Sequence, residues 1–126
     1  MLDLELHELP TVQVATEHDP ANMFVVRVTG SSINRKAEDG SLAICLRLDA
    51  APRYFREGDW VVAERESGGK IETTIKLVKG REGSWQLWPH STDPKYQAPL
   101  TLGQTDGEEV RVIGLALDFQ SKGTVL

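Results

Sequence analysis

The segment Lys70-Ile71-Glu72-Thr73-Thr74-Ile75-Lys76-Leu77-Val78-Lys79 decides the fold class. Every second position falls on one face: Ile71, Thr73, Ile75 and Leu77 share one side, Glu72, Thr74, Lys76 and Val78 the other. With β-branched residues crowding it, the segment reads as a long strand. Just upstream, Ser67-Gly68-Gly69 supplies the residues of a tight hairpin loop, which makes Trp60-Val61-Val62-Ala63-Glu64-Arg65 the partner strand. Working outward, residues 23–28 place Phe24, Val26 and Val28 on one face, and residues 41–48 place Leu42, Ile44, Leu46 and Leu48 on another. Residues 84–88 and 110–119 complete the strand set, and residues 11–16 suit an edge strand. Residues 31–38 allow one or two helical turns, ending at Asp39-Gly40. The chain therefore predicts a mainly β domain with at most one short helix.

The 126 residues fit one domain, divided here into an N-terminal arm and loop over residues 1–22 and a folded body over residues 23–126. Residues 1–7 alternate Leu2, Leu4 and Leu6 with Asp3 and Glu5, which suits either a short strand or an arm that docks on a partner. An acidic start is the opposite of a secretory signal. A net charge of -5 argues against a surface that binds nucleic acid by neutralising phosphates. Cys45 is the single cysteine, so no internal disulfide forms, and no apolar run reaches membrane-spanning length. A cytoplasmic protein without membrane contact is expected.

Candidate chemistry is sparse. His7, His18 and His90 have no chelating spacing, and with one cysteine no metal site is expected. Ser67-Gly68-Gly69-Lys70 lacks the spacing of a phosphate loop. What remains is Gly30-Ser31-Ser32, at the end of a strong strand, together with Lys76 on a segment otherwise free of charge. A serine hydroxyl becomes a nucleophile when a base takes its proton, and a lysine whose charged form is disfavoured by burial can be that base. Backbone N–H groups of such a turn could also stabilise an oxyanion. From spacing alone, the commoner reading of these residues is a turn or helix cap and a solvated strand lysine.

Phe24 to Ile33, Asp39-Gly40-Ser41-Leu42, Gly58-Asp59-Trp60-Val61-Val62-Ala63, Thr74-Ile75-Lys76-Leu77 and Val110-Arg111-Val112-Ile113-Gly114 occur in the order that resembles the LexA-like S24 peptidase domain. This is the C-terminal half of LexA and lambdoid phage repressors and the body of the UmuD proteins. The resemblance implies the LexA and signal-peptidase-like β fold, with Ser32 as nucleophile, Lys76 as general base, Thr74 as a supporting hydroxyl, and Gly30 and Ser31 as the oxyanion turn. No cofactor is implied. Ile33 stands where methionine is usual in the family, and Ser41 replaces a common aspartate.

The function this resemblance implies is that of a self-cleaving peptidase and dimerisation domain from a repressor of the SOS or prophage type. A RecA filament would be the co-protease, and DNA would be contacted only through a separate N-terminal helix-turn-helix domain. The alternatives are a UmuD-like accessory subunit, with a translesion DNA polymerase as partner, and a non-catalytic dimerisation domain. Family members cut at Ala-Gly or Cys-Gly, and neither dipeptide occurs before Ser32, so the chain is expected to resemble the product of such a cut and to stay intact by itself. A homodimer is expected to form through residues 110–119, an apolar run with few later elements to cover it.

Overall fold

A computed structural model describes residues 18–51 and 55–121. The strands are β1 (Met23–Arg27), β2 (Leu42–Arg47), β3 (Trp60–Ser67), β4 (Lys70–Lys79), β5 (Gln86–Trp88), β6 (Leu100–Thr101), β7 (Gly103–Thr105) and β8 (Glu108–Gln120). They form one antiparallel sheet in the order β1-β2-β8-β3-β4-β5-β6, with β7 beside β8. The molecule is mainly β, as the period-two spacing predicts. The edge strand expected over residues 11–16 and the arm over residues 1–7 lie outside the described residues.

The β3–β4 hairpin closes where the glycines stand. Ser67 pairs with Lys70, leaving Gly68 and Gly69 as a two-residue loop with φ of 58° and 79°. Two consecutive positive φ values match the right-handed twist of the flanking strands, and glycine adopts them without penalty. Apolar residues then divide between the two faces of the sheet. Val62 and Ile75 join Val26, Val28, Ile33, Ala43 and Cys45 in one core, while Val61 and Ala63 join Phe55, Val78, Leu87 and Leu115 in the other. A strand buried on both sides needs an unbroken apolar run, which is why Trp60-Val61-Val62-Ala63 does not alternate.

β8 corrects one expectation. It is not an uncovered strand but an interior one, paired with β3 over Glu108 to Leu115 and with β2 over Gly114 to Gln120. The register jumps past Ile113 on the β3 side and past Leu117 on the β2 side. Each bulge bends and twists the strand, which lets thirteen residues serve both halves of the sheet. At the crossing, a Cβ on Gly114 would lie 2.8 Å from both the Leu46 carbonyl oxygen and the Phe24 ring. Among the described residues β8 lacks a strand partner beyond Leu115 on the β3 side, and over Arg111 to Ile113 between its pairings with β7 and β2 on the other.

Residues 31–38 form hydrogen-bonded turns in place of a regular helix. Ala37 and Lys36 both donate to the Ile33 carbonyl, at 2.9 and 2.8 Å, and the chain then reverses at Gly40. The helical residues lie elsewhere, in two three-residue 3-10 turns at Pro20–Asn22 and Leu48–Ala50. β6 and β7 escape a periodicity search because two or three residues are too few to show a period.

Candidate active site

Lys76 enters the site from β4, where antiparallel register sets Val61 opposite it and Ala63 opposite Thr74. Alternation puts Thr74 and Lys76 on one face, two positions apart. Lys76 is buried there, only 7% exposed. Burial is the main reason its pKa falls from 10.5 to about 8; the Arg65 charge lowers it further, and Glu72 opposes this weakly. Among the described residues no carboxylate lies within ion-pairing reach of Lys76. Its Nζ donates to Thr74 Oγ1, to the Ile75 carbonyl at 3.4 Å and to Ser32 Oγ at 3.4 Å.

Ser32 arrives from the turn after β1. Gly30 takes φ of 84°, a left-handed conformation that a side chain would strain, and so redirects the chain at the strand end. Hydrogen bonds from the Pro89 to Ala98 loop then hold the turn. His90 N donates to the Ser32 carbonyl at 2.9 Å, Arg35 N donates back to the His90 carbonyl at 2.9 Å, and the Asn34 and Thr92 side chains and backbone exchange two more.

The structure brings Ser32, Lys76 and Thr74 together and directs the other two candidates elsewhere. Ser31 Oγ donates to Asp93 Oδ2 at 3.1 Å, so its hydroxyl is engaged by the loop and not by Lys76. Gly30 N donates to Asp39 Oδ1 at 2.8 Å. A nearby carboxylate thus satisfies that N–H. Among the described residues, no acceptor takes the backbone N–H of Ser31 or Ser32. The other thiol or hydroxyl worth considering as a nucleophile, Cys45, is fully buried and its thiol is pushed up to about 12 by that burial.

A cleft of about 580 Å³ opens over the pair, lined on its floor by Gly30, Ser32 and Lys76 and on one wall by Tyr96, Pro99 and Leu100. Arg65, Glu72 and Lys95 stand along it as charged groups. A hydroxyl beside a buried amine whose pKa is lowered to about 8, in an open cleft, is the arrangement that a serine–lysine hydrolase requires. The peptidase S24-like family pattern matches residues 4–117. The chain belongs to the peptidase S24-like family. The match begins inside the segment read as an N-terminal arm. No curated protein matches the chain. No helix among the described residues of this S24 domain is long and apolar enough to cross a membrane.

The loop over residues 89–98 is the part of the S24 site that sequence reasoning missed. Ser91-Thr92-Asp93 is a spacing that favours side-chain-to-backbone turns, and that much is visible in the sequence. Which turn it docks against is not, because its partners lie about sixty positions away, at Ser31 and Asn34.

Proposed function

We propose that this S24 domain hydrolyses a peptide bond with Ser32 as nucleophile and Lys76 as general base, the chemistry of a LexA-like self-cleaving peptidase. The observation that carries the reading is Lys76 Nζ at 3.4 Å from Ser32 Oγ, buried and without a carboxylate partner. A neutral amine has two N–H donors and one lone pair. With Thr74 Oγ1 and the Ile75 carbonyl accepting the two donors, the lone pair faces the Ser32 hydroxyl. Ser32 Oγ attacks the carbonyl carbon, its proton passes to Lys76 Nζ, and the carbonyl electron pair moves onto the oxygen. Collapse of this intermediate breaks the C–N bond, and the leaving amine takes the proton from Lys76. Water then enters by the reverse path and releases the acid from Ser32.

The setting we propose is a repressor of the SOS or prophage type, with a RecA filament promoting cleavage in the bacterial or phage-infected cytoplasm; family membership supports it. The same reading makes the domain a homodimer, supported by the open edge of β8 from Ala116 to Gln120. Sedimentation at high concentration tests that, and a monomer throughout would remove it. For the chemistry, a separate peptide carrying an Ala-Gly bond is expected to be cut, with a rate that rises with pH through a midpoint near 8 as Lys76 loses its proton. Ser32→Ala and Lys76→Ala should each reduce the rate by roughly a thousandfold or more while the circular dichroism spectrum is retained. Cleavage by Ser32→Ala at the parent rate would end this assignment.

A further inference from the structure

We propose that Ser91 is a positioning residue for this reaction: its hydroxyl orients the peptide unit between Ser31 and Ser32 so that the Ser32 backbone N–H serves as the oxyanion donor. The inference rests on the serine–lysine reading above and extends it to a side chain outside the dyad.

Ser91 is a buried polar residue, 7% exposed, in a loop whose neighbours Thr92 and Lys95 are exposed. Its hydroxyl donates to the Ser31 carbonyl oxygen at 2.6 Å and accepts from Asp93 N at 2.9 Å. Gln97 Nε2 donates to the Ser91 carbonyl at 2.9 Å and to the Asp93 carbonyl at 2.8 Å, so the loop that carries the hydroxyl is itself braced. The carbonyl of Ser31 and the N–H of Ser32 belong to one planar trans peptide unit and point in opposite directions. A hydroxyl that holds the carbonyl toward the loop therefore holds the N–H away from it, on the side of Ser32 that no protein acceptor occupies. Asn34 N, at 3.2 Å, also donates to the Ser31 carbonyl, and His90 N fixes the next carbonyl, that of Ser32. Both peptide units flanking the nucleophile are thus pinned, and among the described residues Ser91 is the one side chain that does so.

This function suits Ser32 and not Gly30, whose N–H is already given to Asp39. Preorganised donors aimed at the developing oxyanion act in the transition state much more than on bound substrate. Loss of the Ser91 hydroxyl should therefore lower kcat and leave KM close to the parent value.

The test uses the whole chain with an Ala-Gly peptide as substrate and a peptide boronic acid ending in alanine, which forms a tetrahedral adduct on a serine, as the transition-state probe. Ser91→Ala is expected to lose roughly ten- to a hundredfold in kcat, less than the loss from deleting a donor outright, and a similar factor in boronate affinity. Ser91→Thr, which keeps the hydroxyl, should recover most of both. If Ser91→Ala does not fold, Ser91→Cys replaces it, since a thiol is a weak donor of similar size, and the same direction is expected. An active parent with Ser91→Ala equal to it in kcat and boronate affinity, whatever its melting temperature, overturns this inference alone. A parent that neither cuts the peptide nor binds the boronate overturns the peptidase reading and this inference with it.

Discussion

Two stretches of β4 carry the same residue types in opposite circumstances. At the hairpin end, Lys70 and Ile71 are exposed, and the neighbouring strands hold their charges in surface ion pairs: Arg65 with Glu108, and Arg111 with Glu64, Glu66 and Glu109. Further along the strand, Ile75 and Lys76 are buried, and Lys76 has hydroxyl and carbonyl oxygens around it with no carboxylate in reach among the described residues. An arginine among glutamates keeps its charge, whereas an amine among apolar groups and hydroxyls gives up its proton readily. One strand thus makes a solvated rim and a reactive centre, and depth in the sheet is what separates them.

The largest way to break that contrast is to move a carboxylate to the buried stretch. Thr74→Asp should pair with Lys76 and raise the midpoint of the rate-pH profile from about 8 to beyond the ordinary 10.5. At pH 7.5 the neutral fraction, and with it the cleavage rate, should fall by about two orders of magnitude. A midpoint that stays near 8 would mean that the missing carboxylate is not what keeps Lys76 ready to accept a proton.

Packing should differ in the same direction. Ile75→Ala removes side-chain volume from a core position 1% exposed and is expected to cost about 2–5 kcal/mol by urea unfolding. Ile71→Ala, at 53% exposure, should stay within about 0.5 kcal/mol of the parent. Equal losses at both positions would show that the two stretches are not distinguished by burial.

Lys76 itself has a stability signature. Because its folded pKa lies below its unfolded one, the unfolded chain binds more protons between about pH 8 and 10.5, so stability rises with pH across that window. The shift corresponds to roughly 3 kcal/mol, an order-of-magnitude figure that is a constant penalty below pH 8 and vanishes above 10.5. Lys76→Met should accordingly be more stable than the parent at pH 7, with the gap closing by pH 10.5. A gap independent of pH would assign the gain to packing alone.

The smallest effect belongs to the rim. Arg111 has three glutamates beside it, which hold its guanidinium firmly charged, yet it is open to solvent. Exposed pairs are screened and entropically costly, so Arg111→Ala should leave the unfolding temperature nearly unchanged and cleavage intact. A large loss would mean that this network supports the sheet more than its exposure suggests.

The alternation in β4, the glycine pair after Ser67 and the unbroken apolar run in β3 were legible without coordinates, because side-chain period and positive φ are local properties. So was the contact of Ser32 with Lys76, through the family resemblance and not through spacing, which favoured a turn and a solvated lysine. The interior place of β8 was not legible, since its two bulges take their meaning from β2 and β3, elements far away in the chain. Nor was the hydrogen bond from Gly30 N to Asp39, which depends on a carboxylate nine residues on.

By itself, the sequence determined which longer segments are strands and where the chain must turn. Tertiary structure alone decided that the amine is buried away from every described carboxylate, that the Ser31 hydroxyl goes to Asp93, and that Ser91 reaches back to grip the peptide before the nucleophile. The physical reason is that periodicity and turn chemistry are set by neighbours in the chain. Desolvation and the orientation of a peptide unit are set by whatever the fold brings alongside, here from positions 44 and 60 residues away.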